Sequence, residues 1–181
     1  MNRTGTLKAV ACLAAALLLS APLFGQTLSP SPNTPVADGR VGPGEYTYTS
    51  VRKDMTVHLS LSGDGGTLHA ALEAPTTGWA AVGLGSLRMN GAFLVLGYDA
   101  GGVPSVREDT GSGHRHTPNP NRVLTAQAVR EASGRTVLEF ALPSAPYAAG
   151  SSLKLILAYG RRDDFASIHA RHAPLEVPIS R

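Results

Sequence analysis

Histidine is the side chain of this sequence best suited to binding a metal, and four of its six histidines form two close pairs. His114 and His116 are two residues apart, while His169 and His172 are three apart. Imidazole nitrogens bind copper and zinc, so each pair could supply part of a metal site. No carboxylate completes a familiar metal spacing, however. We therefore interpret residues 111–121, GSGHRHTPNPN, as a solvated histidine-rich surface loop without a strand.

Nucleophilic and hydrolytic catalysis have little support in the sequence. There is no G-x-S-x-G motif of the kind that exposes a catalytic serine. Asp163 and Asp164 are adjacent, which points their carboxylates in different directions on an extended chain, and we assign them to a loop or turn. We therefore predict a binding or carrier protein rather than an enzyme.

The first 25 of the 181 residues have the layout of a secretory signal peptide. Arg3 and Lys8 make a basic start, residues 9–19 are an apolar run too short for a comfortable membrane span, and small residues follow. The only cysteine, Cys12, lies inside this segment. Cleavage near residue 25 would leave a secreted or periplasmic chain without thiols, which excludes disulfides, thiolate metal sites and cysteine nucleophiles.

Charge and composition exclude other classes of protein. The whole chain carries 16 Lys and Arg against 13 Asp and Glu, a formal charge of +3. Loss of Arg3 and Lys8 lowers this to +1, too little excess charge for a protein that neutralises nucleic-acid phosphates. Hydrophobic residues make up 43% of the chain, enough for a real core. We expect no nucleic-acid partner and no membrane span in the mature chain.

Past a Ser/Pro-rich linker at residues 26–35, residues 36–181 read as a single all-β domain. Apolar and polar residues alternate with period two, for example over residues 55–61 and 68–73, and glycine-rich turns separate the runs. About nine to ten short strands can be counted, and no segment has a convincing helical period. His58 and His69 fall on the polar faces of their strands, so we expect them to be exposed.

Several motifs occur in an order that resembles the DOMON domain. This family is related to the N-terminal domain of dopamine β-monooxygenase and to the cytochrome domain of cellobiose dehydrogenase. The motifs are DGRV at 38–41, GEY at 44–46, TGWAAVGLG at 77–85, MNGA at 89–92, Phe165, and HAR at 169–171. The resemblance covers nearly all of the chain after residue 35.

The DOMON resemblance implies an immunoglobulin-like β-sandwich that binds either haem b or a carbohydrate or other ligand. In haem-binding members a methionine and a histidine hold the iron, and those positions fall here on Met89 and His169, with His172 as the alternative to His169. With both axial sites filled, the implied chemistry is single-electron transfer with an unknown redox partner. A haem-free carbohydrate or small-ligand module is the alternative function.

Two further residues have open roles under this resemblance. Arg171 could pair with a haem propionate, because a guanidinium matches carboxylate geometry, or it could be a solvated charge. Trp79, the only tryptophan, is expected mainly to pack in the core, with contact to a haem edge as a secondary role.

Overall fold

The computed structural model describes residues 26–180, and the expected signal peptide at 1–25 lies outside the described residues. Eleven strands and one four-residue helix, α1 (Ala145–Ala148), make up this part of the chain, so it contains no long helix. None of its helices could cross a bilayer. The strands are β1 (Tyr48–Arg52), β2 (Met55–Leu61), β3 (Thr67–Ala74), β4 (Ala80–Leu84), β5 (Phe93–Asp99), β6 (Pro104–Ser112), β7 (Arg115–Pro118), β8 (Ala126–Ala132), β9 (Arg135–Pro143), β10 (Ser152–Tyr159) and β11 (Arg171–Pro178).

The strands form two antiparallel sheets, which confirms the predicted all-β sandwich. One sheet has five strands in the order β1-β2-β3-β9-β8, and the other has six in the order β11-β10-β4-β5-β6-β7. Apolar residues from both inner faces form the main core, and Leu59, Leu72, Phe140 and Leu155 are among its fully buried members. Burial of each such side chain contributes about 1.5–3 kcal/mol, so this core is the main source of stability.

The interpretation of residues 111–121 as a loop without a strand was wrong. The end of β6 and all of β7 form a hairpin there, with Gly111 paired to His116 and with Gly113 at a φ of +60° in the turn. β7 is an edge strand of its sheet and is mostly exposed. An edge strand needs no apolar alternation, and for this reason the pattern did not reveal it.

The motif at residues 38–46 has a structural role that its sequence did not disclose. Glu139, on β9 and fully buried, accepts the backbone N–H groups of Asp38, Gly39 and Arg40 at 3.1, 2.7 and 3.0 Å. Its other oxygen accepts the Tyr46 hydroxyl at 2.8 Å. Burial raises the pKa of Glu139, and the four hydrogen bonds oppose that rise. One carboxylate thus fastens the N-terminal segment to the sandwich.

The Ser/Pro-rich segment 26–35 is extended and lies against the sandwich. Leu28 is fully buried, its N–H donates to the Pro178 carbonyl at 2.9 Å, and its own carbonyl accepts from Ser180 at 3.0 Å. Further along, the Ser31 N–H donates to the Leu61 carbonyl at 3.0 Å. These contacts add a short stretch of ordered backbone to the end of the domain.

His58 and His69 are buried, contrary to the expectation that they are exposed. They are 9% and 8% accessible, respectively. The alternation placed them on the outer face of the five-stranded sheet, but the segment before β1 covers part of that face, and its Tyr46 ring lies 5.7 Å from the His58 ring, centroid to centroid. Both ring nitrogens of His58 have partners: Nδ1 lies 3.0 Å from Thr49 Oγ1, and Nε2 lies 2.8 Å from Glu73 Oε1. Burial lowers the pKa of His69.

Candidate functional site

The outer face of the six-stranded sheet carries a second apolar cluster, separate from the main core. Its buried members are Trp79, Ala81, Ala92, Leu94 and Leu96, and side chains including Met89, Ile156 and Phe165 pack against them. An antiparallel sheet in a sandwich commonly keeps its outer face solvated and polar. An apolar outer face therefore indicates a surface that binds another molecule or another segment of protein.

A cavity of about 540 Å³ lies over this cluster. Its floor contains Ala81, Leu94, Leu96, Ile156 and Ala158. The strand register sets these residues side by side, because Ala158 pairs with Ala81 and Ala81 pairs with Leu96. Small side chains on β4 and β10 leave room above the sheet. The volume lies within the range of about 300–1,000 Å³ that is typical of cofactor sites.

Met89 reaches the cavity from the side of β6. It lies in the loop between β4 and β5, and that loop is tied to β6 by two hydrogen bonds. The Gly91 N–H donates to the Gly111 carbonyl at 3.0 Å, and the Gly111 N–H donates to the Ala92 carbonyl at 2.9 Å. Gly91 has a φ of +78°, which suits glycine. Met89 is half-buried, so its thioether is held at the cavity wall.

His169 reaches the same cavity from the opposite side, next to the edge strand β11. It lies in the loop before β11, and its ring is 4.7 Å from that of His172, centroid to centroid, in an edge-on arrangement. Burial lowers the pKa of His169, and the neighbouring His172 lowers it further. The neutral imidazole favoured in this way is the form that binds metals. Strands β10, β4 and β5 lie between β11 and β6, so Met89 and His169 flank the cavity.

Trp79 packs in the outer cluster and also lines the cavity. Its Nε1–H donates to Ser167 Oγ at 2.9 Å, and its backbone pairs with Gly160 and Arg162. The chain passes so close to the indole that a Cβ on Gly160 would lie 2.1 Å from Nε1. The indole therefore anchors the loop that carries His169.

Arg171 is placed away from the cavity lining. Neighbouring residues on a strand face opposite sides, and here it is His172 that lines the cavity. Arg171 Nε instead lies 3.5 Å from Asp54 Oδ2, and the same carboxylate oxygen accepts the Tyr159 hydroxyl at 2.7 Å. The structure thus gives Arg171 a surface ion pair rather than a position at the cavity.

The sequence did not reveal a polar cluster on the β6–β7 hairpin. His116 Nδ1 lies 2.5 Å from Asp109 Oδ2, and Asp109 is fully buried. Arg107 donates two hydrogen bonds of 2.7 Å to the two oxygens of Asp109, and the Phe165 ring packs 4.4 Å from its guanidinium carbon. The alternation of Arg107 and Asp109 along one strand was the only available signal. His114 and His116 both line the cavity, yet residues 26–180 contain no cluster of three or more His, Cys, Asp or Glu suited to a metal ion.

The residues around the cavity fit haem b. A flat macrocycle needs an apolar floor, and the floor here is made of alanine, leucine and isoleucine side chains. Iron in such a site is held by soft or borderline donors, and the cavity offers a thioether from Met89 and imidazoles from His169 and His172 on its two sides.

Comparison with known proteins supports the fold. No protein-family model matches the chain, and no curated protein matches its sequence. Among solved structures, the cytochrome domain of Myriococcum thermophilum cellobiose dehydrogenase is similar with a TM-score of 0.61 and 12% identity, covering 81% of this chain and 90% of that one. The cytochrome b domain of Coprinopsis cinerea pyranose dehydrogenase is similar with a TM-score of 0.59 and 12% identity, covering 74% and 81%. The chain therefore has the fold of these cytochrome b domains, in agreement with the DOMON resemblance of its motifs.

Proposed function

We propose that this protein is an exported haem b module that carries single electrons, with Met89 and His169 as the axial ligands. The observation that supports this most directly is the apolar cavity on the outer sheet face, which these two side chains flank. The proposed export rests on the signal-like segment at residues 1–25.

Haem b, when bound, supplies a one-electron Fe(III)/Fe(II) couple. His169 would offer its neutral imidazole, and Met89 would offer an uncharged thioether, which tends to raise the reduction potential. Together they would occupy both axial positions and leave none for oxygen or peroxide. Trp79 and the alanine and leucine floor would keep water from the cofactor. This arrangement suits a carrier rather than a catalyst.

The partner of such a carrier would be another redox protein. The two similar structures are cytochrome domains of sugar dehydrogenases, as their names state. We propose that this chain exchanges electrons with an exported oxidoreductase.

Reconstitution with haem b tests this function directly. The chain is produced with haem supplied, purified, and its absorption spectrum is recorded in the oxidised and dithionite-reduced states. We expect one haem per chain, a low-spin ferric spectrum and sharp reduced bands. The variant Leu96→Arg, which places a charge on the cavity floor, should fold but lose haem. A wild-type protein that takes up no haem would overturn the proposal and favour the carbohydrate or small-ligand alternative.

A further inference from the structure

His116 lies on the same side of the cavity as Met89. It pairs with Gly111 across the β6–β7 hairpin, and the backbone of Gly111 is in direct contact with Met89. Both side chains line the cavity, on the side opposite to His169. Gly111 of β6 thus lies between the loop that carries Met89 and the imidazole of His116, which has no role in the proposed function.

The contact of His116 Nδ1 with Asp109 leaves Nε2 as the ring nitrogen free to bind a metal. Asp109 accepts two hydrogen bonds from the Arg107 guanidinium, one on each oxygen, and so acts as a carboxylate acceptor toward His116 as well. The hydrogen of a neutral His116 therefore sits on Nδ1, which leaves the lone pair on Nε2. Metal-binding histidines in proteins are commonly fixed in this way by a carboxylate on the other nitrogen.

The support behind His116 is rigid, and His114 provides the contrast. Asp109 is fully buried and Arg107 is held under the Phe165 ring. His114 also lines the cavity, but it is exposed and its side chain makes no hydrogen bond within residues 26–180. Of the two histidines in the hairpin, only His116 is built to hold one orientation.

We propose that His116 is a reserve iron ligand that takes the axial position of Met89 whenever the thioether leaves it. This inference rests on the proposed haem function. In the exchange, the bond from Met89 sulfur to iron breaks and a bond from His116 Nε2 to iron forms. No electron is transferred, and no proton is released because Nδ1–H stays with Asp109. The consequence is that the iron stays six-coordinate and closed to external ligands.

The ferric spectrum of Met89→Ala tests the inference. With His116 in place we expect a low-spin, six-coordinate haem whose near-infrared charge-transfer band and EPR signal are those of two imidazole ligands. The double variant Met89→Ala/His116→Ala should be high-spin and should bind azide at least about tenfold more tightly than Met89→Ala does, because an axial position is then open. Free imidazole should restore its low-spin spectrum. The matched control Met89→Ala/His114→Ala should keep the spectrum of Met89→Ala.

The outcomes separate this inference from the proposed function. If Met89→Ala is already high-spin and binds azide as tightly as the double variant, His116 is not a reserve ligand, although the haem function stands. A high-spin spectrum of Met89→Ala overturns the inference by itself, even if the double variant does not fold. If the wild-type chain takes up no haem, both proposals fail together.

Discussion

Gly111 and Met89 are in such close contact that any side chain at position 111 would displace the Met89 backbone. A Cβ added to Gly111 would lie 1.9 Å from the Met89 carbonyl oxygen and 3.2 Å from its Cγ. Gly111 is buried on β6, and Met89 lies in the loop that this strand holds by hydrogen bonds. The position of Met89, the candidate ligand, therefore depends on the lack of a side chain at Gly111.

Gly111→Ala should displace the Met89 loop and weaken haem retention. The main core lies on the other face of the sheet, so the far-UV circular dichroism spectrum should stay that of a β-sandwich. Transfer of haem to an acceptor protein measures retention. Gly150→Ala is the matched control, because a Cβ there meets no atom within 4 Å. Equal haem loss from the two variants would show that the contact does not position Met89.

His169→Ala and His172→Ala should differ sharply in haem affinity. Loss of an axial imidazole should weaken haem binding by more than about 100-fold, since even residues that only support a ligand cost about 10–100-fold. His172 is exposed and contacts the His169 ring, so its removal should weaken affinity by no more than about tenfold, the lower end of the range for residues that support a ligand. Haem titration followed by absorbance measures both. The reverse pattern would identify His172 as the ligand.

Haem binding should quench the fluorescence of Trp79. The chain has one tryptophan and it lines the cavity, so all tryptophan emission reports on this site. We expect emission to fall linearly with added haem and to level off at one equivalent. The Leu96→Arg variant should show little quenching over the same range. Full emission in a wild-type sample that has taken up one haem per chain would place the cofactor elsewhere.

Glu139→Ala should destabilise the fold by about 3 kcal/mol. The substitution leaves backbone N–H donors without an acceptor, and each such donor costs about 1–3 kcal/mol when it is buried without a partner. For a domain of this size the melting temperature should fall by about 6–12 °C. Glu139→Gln keeps one acceptor oxygen and should lie in between. Glu176→Ala, at an exposed position of β11, is the control, with an expected change within about 0.5 kcal/mol. If the Glu139→Ala protein were as stable as this control, the Glu139 carboxylate would not contribute to the stability of the fold.

The free energy of unfolding should decrease below about pH 6.5, in part because of His69. Burial lowers the pKa of His69 in the folded state, while the unfolded chain keeps an ordinary value of about 6.5. The stabilising contribution is therefore complete above the unfolded value and is lost as the pH falls through the folded value. Urea unfolding of His69→Gln between pH 4.5 and 7.5 should show a shallower decline than the wild type. His114→Gln, at an exposed position, should leave the slope unchanged, and parallel curves for all three proteins would contradict this role of His69.

The sandwich was predictable because its inner positions must be apolar. Leu59, Leu138 and Phe140 stand on period-two runs that allow no other regular structure. The edge strand β7 was not predictable, because it is mostly exposed and three of its four residues are polar. The burial of His58 and His69 could not be predicted either. Alternation indicates which face of the sheet a side chain lies on, but it does not indicate what covers that face.

The candidate site was only partly predictable from the sequence. Motifs identified Met89 and His169, but they lie 80 positions apart, so only the tertiary pairing of strands can place them around one cavity. The Asp109–His116 contact depends on the register of a hairpin that the sequence did not reveal. Arg171 was considered for the site because a guanidinium matches the carboxylate geometry of a haem propionate, although alternation along β11 turns it to the other side.

The two apolar clusters of this domain lie on opposite faces of one sheet, and only the inner one joins the sheets together. A cofactor on the outer face would add to stability by mass action without being needed to close the core. The polypeptide can therefore reach its final shape before any cofactor arrives. Scarcity of haem should then lower the fraction of loaded molecules while the amount of folded, protease-resistant protein stays nearly constant.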